Sequence, residues 1–550
     1  MCPAPSADDG FSVGGRGTIA RLVRRDLRIG GRPRSPLGLQ PYVEAHQQEE
    51  GQRASQEGQP RPQAQHGPQL LTTAVVWFRR DLRLADNPAW SAAAQAADHI
   101  LALFVLDPAV LVTAGPRRRD LLLAHLGALD ARLRAQGAAL LVRTGDPVQV
   151  VAQVASAVRA ASVHVNGDVS AYAQRRDAAV RAALGSRTEL DVRWGCHVLR
   201  PGSVVAASSG SVHKVFTPFH TAWTSALDAG PLDREPAAGA ADAVGVPVHP
   251  RDPALPTSLA PEVLPEPAAR PSEEPGEDGA HRRLSAWLER VDDYEERRDR
   301  PSDDDGTSQL GADLHFGTLS PRHVVEVVGT VTPGRAAFVR QLAWRDWYAA
   351  LFLERPTLGR SAMTAELDAV AWRSDTDEID AWRSGSTGYP IVDAGMRQLA
   401  ATGWMHGRVR MIAASFLVKD LLVDWRLGEA HFRSHLLDGD LAQNAGNWQW
   451  VAGTGPDAAP YFRVMNPTTQ SRRFDPDGEY IARWVPELAE LPPADRHAPW
   501  ELGPLELAAA GVVLGSAADG GTYPAPIVEH ASARERAIRA YSIARSRTSA

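Results

Sequence analysis

Residues 438–450 read DGDLAQNAGNWQW, so two carboxylates, an amide and two indoles fall within thirteen positions. If the chain is helical from Leu441 onward, Asn444 and Trp448 are four apart and project from one face. Trp450 then lies about 200° round the axis from Trp448. Such a helix offers a hydrogen-bonding amide and an oxidisable aromatic to one interior pocket. Indoles most often serve packing, so the segment gains its meaning from the residues that accompany it. Residues 338–348, FVRQLAWRDWY, carry Gln341, Trp344, Arg345 and Tyr348 at i, i+3, i+4 and i+7. That stripe ordinarily is apolar and faces a core; here it bears polar and charged groups. Residues 301–310, PSDDDGTSQL, form a polar loop entering a helix. Its hydroxyls and backbone N–H groups suit a phosphate, and they suit an ordinary N-cap as well.

Two kinds of element must hold these groups. AVVWF after Thr73, ILALFVLD from Ile100, ALLVRTGD from Ala139, SVHVNGD from Ser162 and LDVRWG from Leu190 read as buried strands separated by helical stretches. This alternation predicts a doubly wound parallel α/β domain, whose ligands sit at the carboxyl ends of the strands. After a connection rich in Pro, Ala and Glu, the periodicity turns helical and strand signals nearly vanish. The expected fold class is an α/β N-terminal doubly wound parallel-sheet domain followed by an all-α C-terminal domain. The expected divisions are a disordered extension over 1–72, the α/β domain over 73–225, a linker over 226–280, the helical domain over 281–515, and a closing helix and tail over 516–550. The extension is rich in Gly, Pro, Gln and Arg and lacks hydrophobic periodicity.

At 550 residues the chain exceeds a single core, in keeping with two domains. Its two cysteines, Cys2 and Cys196, show no CxxC spacing. That fits a reducing compartment and excludes a disulfide scaffold or a thiolate zinc site; no metal is expected. No apolar run reaches about 18 residues and no signal-peptide pattern follows the start, so a soluble, cytoplasmic protein without membrane contact is expected. A net charge of −7 gives no global attraction to nucleic acid, while leaving room for a locally basic face. Lysine occurs only as Lys214 and Lys419; arginine supplies every other basic residue. The cluster Arg79, Arg80, Asp81 and Arg83 follows the first strand and is expected to fix the first βα turn and the contact between domains.

Three further segments complete a pattern: TGYPIVDAGMRQL over 387–399, GWMHGRVRMIAASFLVKD over 403–420 and GTGPDAAPYFRVMNPTT over 453–469. With WMHxRxRM, DGDLAxNxGxWQW and YFRxxNPxxQ in this order, the chain resembles the photolyase/cryptochrome flavoproteins, most closely the bacterial class I cyclobutane pyrimidine dimer photolyases. The resemblance is dense from about Tyr294 onward and thinner from Val75 to about Trp223. It implies an enzyme that repairs pyrimidine dimers in DNA with blue light and reduced FAD, acting as a monomer.

Residue by residue, the resemblance implies that Tyr294, Thr307, Ser308, Leu310, Arg345, Arg410, Asp438, Asp440 and Asn444 hold FAD, with Asn444 at flavin N5 and Arg410 paired to Asp438. It implies an electron-hopping series of Trp372, Trp425 and Trp448. A dimer cavity would be lined by Gln341, Trp344, Arg408, Met411 and Trp450, with Arg298, Arg408, Arg463, Arg472 and Arg473 near phosphates. Arg118 and Asp168 match contacts to an antenna chromophore, 8-hydroxy-5-deazaflavin or methenyltetrahydrofolate. Three positions depart from the pattern: Gly311 replaces a serine, Gln341 a glutamate and Gly407 an asparagine. The last two open alternative readings, a cryptochrome-like photoreceptor without repair and (6-4) photoproduct repair, the latter opposed by Met411 and Gly407 where histidines are usual.

Overall fold

The runs TAVVWF and HILALFVL form adjacent parallel strands β1 (Thr73–Phe78) and β2 (His99–Leu106), in register from Thr73↔His99 to Phe78↔Phe104. Both are covered on both faces, which is why each reads as a continuous apolar run without polar alternation. The computed structural model describes residues 72–230, 246–247, 264–269, 273–457, 460, 463–516, 518 and 520–546. β3 (Leu141–Thr144), β4 (Ser162–Asn166) and β5 (Glu189–Arg193) complete a parallel sheet of order β3-β2-β1-β4-β5. The winding reverses between β1 and β4, and the crevice at their carboxyl ends is where such sheets take ligands. Arg79 and Arg80 leave β1 there, and Gly167 and Asp168 leave β4. Helices on the two faces start at side-chain caps: Asn87, Asp107, Asp146 and Ser170 each accept from an N–H two or three residues on, satisfying donors the helix cannot.

The expected extension over 1–72 lies outside the described residues except for Thr72, as does most of the expected linker. Within that linker span, β6 (Val246–Pro247) pairs with the start of β2. The helix Gly276–Leu288 also begins inside it.

From Gly276 onward the described elements are helices and turns, with two isolated bridges. The helix Pro333–Glu354 is buried at every position from Gln341 to Phe352, as expected of a helix with neighbours on all sides. Its Asp346 carboxylate accepts from the Val198 and Leu199 N–H groups at 3.2 and 2.8 Å and from the Trp223 indole at 2.9 Å. Burial pushes its pKa up to about 6 against those donors. The helix Gly407–Ser415 runs into one π-helical turn, Phe416–Asp420. The helices Trp425–His435 and Leu441–Ala452 then pack on one another, and His530–Ser546 closes the chain.

The α/β and helical parts belong to one compact unit. Arg83 joins them: its guanidinium donates to the carbonyls of Gly317 and Gly195 at 2.8 and 2.7 Å and to those of Ala85 and Asp86 at 3.1 and 2.8 Å. Leu82 N–H donates to Phe316 O at 3.1 Å, and Arg322 binds Asp86 at 2.6 Å. Asp81, in the same cluster, anchors the first turn through Arg79 N–H at 2.7 Å and Asn166 Nδ2 at 2.6 Å.

Candidate functional site

Two cavities meet in the helical part. One, of about 540 Å³, is lined by Tyr294, Thr307, Ser308, Leu310 and Phe338 among others. The second, of about 470 Å³, is lined by Arg345, Arg410, Asp440 and Asn444 among others. Gly311, Leu314 and Asp438 belong to both, so the two form one elongated site. Every residue that the resemblance assigns to FAD lines one or the other.

The residues present fit a dinucleotide. The Thr307 hydroxyl is buried without a hydrogen-bond partner among the described residues, a cost that a phosphate acceptor would remove. Arg410 meets Asp438 through two bonds of 3.1 Å each. Burial opposes ionisation of Asp438, yet Arg410 leads the attractions that hold its carboxyl well below the usual range. A Cβ on Gly311 would lie 2.6 Å from Asp438 Oδ2. The absence of the expected serine therefore lets the carboxylate close on the loop. Asp440 caps the helix Leu441–Ala452 by accepting from Gln443 N–H at 2.9 Å and pairs with Arg80. Burial again opposes its charge, and Arg80 and Arg345 hold its pKa below the ordinary value.

Asn444 and Trp448 lie on this helix as the sequence predicts. The Asn444 amide donates to Glu429 O at 2.9 Å and to its carboxylate at 3.0 Å, which directs its carbonyl oxygen, an acceptor, to another partner. Glu429 was not legible as part of the site, because nothing in sequence ties it to a residue on the next helix. Burial pushes its pKa up, with Arg433 at 2.9 Å opposing. Gly428 admits the Trp448 ring, since a Cβ there would stand 2.2 Å from it.

Trp425 and Trp448 are buried and Trp372 is partly exposed. Trp425 and Trp448 belong to one apolar core, against which Trp372 packs. Trp448 meets Trp382 at 6.2 Å and Phe432 at 5.0 Å, while Trp372 meets Tyr541 at 5.8 Å. Trp382 gave no sequence signal beyond being a tryptophan.

The residues expected to line a dimer cavity are placed less openly. Gln341, Trp344, Met411 and Trp450 are buried and line neither cavity described above; Trp344 stacks on Phe216 at 3.7 Å. Arg408 is 2% exposed, bound to Asp299 at 2.8 Å and laid on Phe474 at 4.2 Å. It is therefore an internal ion pair, not a solvent-facing phosphate contact. Arg298 is buried too, over Tyr294. Arg463, Arg472 and Arg473 are exposed on or just before the helix Pro467–Phe474. Gly407 lines the larger cavity.

A third cavity of about 370 Å³ occupies the crevice of the sheet, lined by Arg79, Arg80, Asp168 and His197, with Asp440 and Gln443 shared with the second helical cavity. Asp168 is thus at the switch point. Arg118 does not line it: its guanidinium donates to the Arg433, Leu436 and Thr113 carbonyls, the last two at 2.9 and 3.0 Å. The position expected to touch an antenna instead ties the α/β part to the segment leading to Asp438.

A family model for the FAD binding domain of DNA photolyase matches residues 338–543, and one for DNA photolyase matches 74–238. The deoxyribodipyrimidine photo-lyase of Streptomyces griseus is 42% identical over 86% of this chain and 99% of its own length. That of Escherichia coli is 39% identical over the same shares. A bacterial class III photolyase from Agrobacterium tumefaciens superposes with a TM-score of 0.75 at 34% identity, covering 88% of this chain and all of its own. A Synechocystis cryptochrome gives 0.73 at 28% identity, covering 85% and 99%. Sheet, helical cavity and sequence together place this chain in the DNA photolyase family.

Proposed function

We propose that this protein is a deoxyribodipyrimidine photolyase, a lyase that splits cyclobutane pyrimidine dimers in DNA with blue light. The observation that carries the reading is the elongated site in which Thr307 and Ser308 stand at one end, Arg345, Arg410 and Asn444 at the other, and Asp438 between. Bound, reduced FAD supplies the light-driven electron that opens the cyclobutane ring. The chain supplies the rest. Arg345 and Arg410 offset negative charge inside the site, and the N-terminus of the helix Leu441–Ala452 adds to them. Asn444, held by Glu429, presents a neutral acceptor that stabilises a protonated ring nitrogen without adding charge. Trp448, Trp425 and Trp372 relay an electron inward from the partly exposed end of the series. Trp344, Trp450, Met411 and Gln341 form the walls that receive an extruded dimer, and Arg463, Arg472 and Arg473 meet backbone phosphates. The crevice cavity beside Asp168 takes the antenna chromophore. The protein acts as a monomer in the cytoplasm.

The reading is tested with oligonucleotides carrying either a single cyclobutane dimer or a single (6-4) photoproduct, under blue light with a reductant. Conversion of the first alone is expected. Conversion of the second alone would replace this reading, and conversion of neither with reduced FAD confirmed would favour a photoreceptor.

A further inference from the structure

Lys419, one of two lysines in the chain, is 1% exposed within the π-helical turn Phe416–Asp420. Its nitrogen lies 3.8 Å from the centroid of the Tyr541 ring and 3.0 Å from the carbonyl oxygen of Ala452. The Tyr541 hydroxyl donates to that same oxygen at 2.6 Å. The Tyr541 ring also meets Trp372 edge-on at 5.8 Å. Around the phenol lie Leu367, Val370, Leu422 and Ala537, all apolar. Ammonium, phenol and indole thus form one chain of contacts at the outer end of the tryptophan series.

A cation on the face of a phenol makes an electron harder to remove, most of all where little water screens the charge. The neutral amine lifts that obstacle and can accept a proton. Burial pushes the Lys419 pKa down to about 7, so both forms occur near neutrality. The other charged groups at this place are those on the same turn and on the elements packed against it. The Asp420 carboxylate binds His530 at 2.5 Å, and its carbonyl takes the Arg536 guanidinium. Asp424 faces Tyr541, and the Arg373–Glu378 pair flanks Arg536.

We propose that Tyr541 is a redox residue beyond Trp372 and that Lys419 gates it: neutral Lys419 lets an oxidised Trp372 draw one electron from Tyr541, whereas charged Lys419 leaves the hole on Trp372. In the open state one electron passes from phenol to indole cation. The Tyr541 O–H bond breaks and an N–H bond forms at Lys419 Nζ, leaving a neutral indole, a neutral phenoxyl and an ammonium. The added reductant then restores the phenol. This proposal rests on the tryptophan series proposed above.

The test is time-resolved absorption and spin resonance on the full-length, FAD-loaded protein after a blue flash, at pH values on both sides of the Lys419 transition. A tyrosyl signal is expected to appear as pH rises through about 7, at the expense of the tryptophan signal. Lys419→Met and Lys419→Arg should lose the tyrosyl signal at every pH while keeping the tryptophan one, as should Tyr541→Phe. His530→Gln should leave the pH dependence in place. A tyrosyl signal in Lys419→Met, a pH-independent one in the natural protein, or a tryptophan radical with no tyrosyl at any pH would overturn the gate. Absence of any tryptophan radical would overturn the underlying series and the gate with it.

Discussion

Asp438 and Arg410 concentrate the residue-scale argument. Each is nearly inaccessible and each satisfies the other through two hydrogen bonds. Removing one partner strands a buried charge, at a cost of about 3–5 kcal/mol. Asp438→Ala and Arg410→Ala should each melt earlier and retain little FAD, read by thermal denaturation and flavin absorbance; normal values in both would misplace the pocket. Because the folded pKa of Asp438 is depressed, the pair's contribution is complete above the ordinary aspartate value of about 3.9. It drains away as pH falls from there through the folded value. Gly407 makes the substrate-side prediction. Restoring an amide with Gly407→Asn should raise dimer affinity by the worth of a hydrogen bond, about 0.5–1.5 kcal/mol, measured as Kd for dimer-containing DNA. The nine positions assigned to the cofactor came from the family resemblance, on motifs spread over four segments and Tyr294, and the fold gathers them around two adjoining cavities. The burial of Arg408 was not legible, since its partners Asp299 and Phe474 lie far off in sequence, and chain order does not say which arginine will be neutralised inside.

At the scale of elements, the helices Trp425–His435 and Leu441–Ala452 touch closely because Gly428 has no side chain. Gly428→Ala would drive a methyl into the Trp448 ring, an overpacking that costs about 1–3 kcal/mol. It should also slow photoreduction by displacing the indole; an unshifted melt would show that the contact is loose. Lys419→Met gives a prediction of opposite sign. The folded pKa of Lys419 lies below its unfolded value of about 10.4, so the unfolded chain binds the extra proton between about 7 and that value. Stability therefore rises with pH across this window, and the lysine penalises folding most below it. Below about pH 7, Lys419→Met should raise folding stability, and with it the melting temperature, by about 1.4 kcal/mol for every tenfold loss of proton affinity that burial imposes on the amine, less the lost contacts. The gain should shrink as pH climbs. The strands announced themselves as uninterrupted apolar runs, and the helix Pro333–Glu354 as a stripe of mixed chemistry. The π-helical turn did not, because one extra residue in a turn leaves the surrounding periodicity nearly intact. β6 did not either, being two residues long and ending in proline.

Across the whole molecule, arginines bind the two parts together, chiefly through backbone carbonyls. Arg83 reaches across to the Gly317 carbonyl and Arg118 to those of Arg433 and Leu436, while Arg80 joins Asp168 at 3.4 Å on one side to Asp440 on the other. Hydrogen bonds to a charged group contribute about 1.5–3 kcal/mol each. Arg83→Met should therefore destabilise both parts and turn one calorimetric transition into two; a single unshifted transition would contradict that coupling. The succession of α/β and helical regions could be read from the change in hydrophobic period. Their contact could only be suspected from the arginine cluster, since carbonyl acceptors carry no residue identity. This contact sets the crevice cavity against the second helical cavity through Asp440 and Gln443, so the proposed antenna and flavin sites adjoin. At this scale the protein passes a light-driven electron to a cyclobutane dimer. The direct measurement is dimer-DNA restoration by the FAD-loaded protein under blue light with the flavin reduced, beside dark and oxidised-flavin samples. Restoration in the illuminated, reduced sample alone is the predicted result, and equal restoration in the dark, or none under illumination, would contradict it.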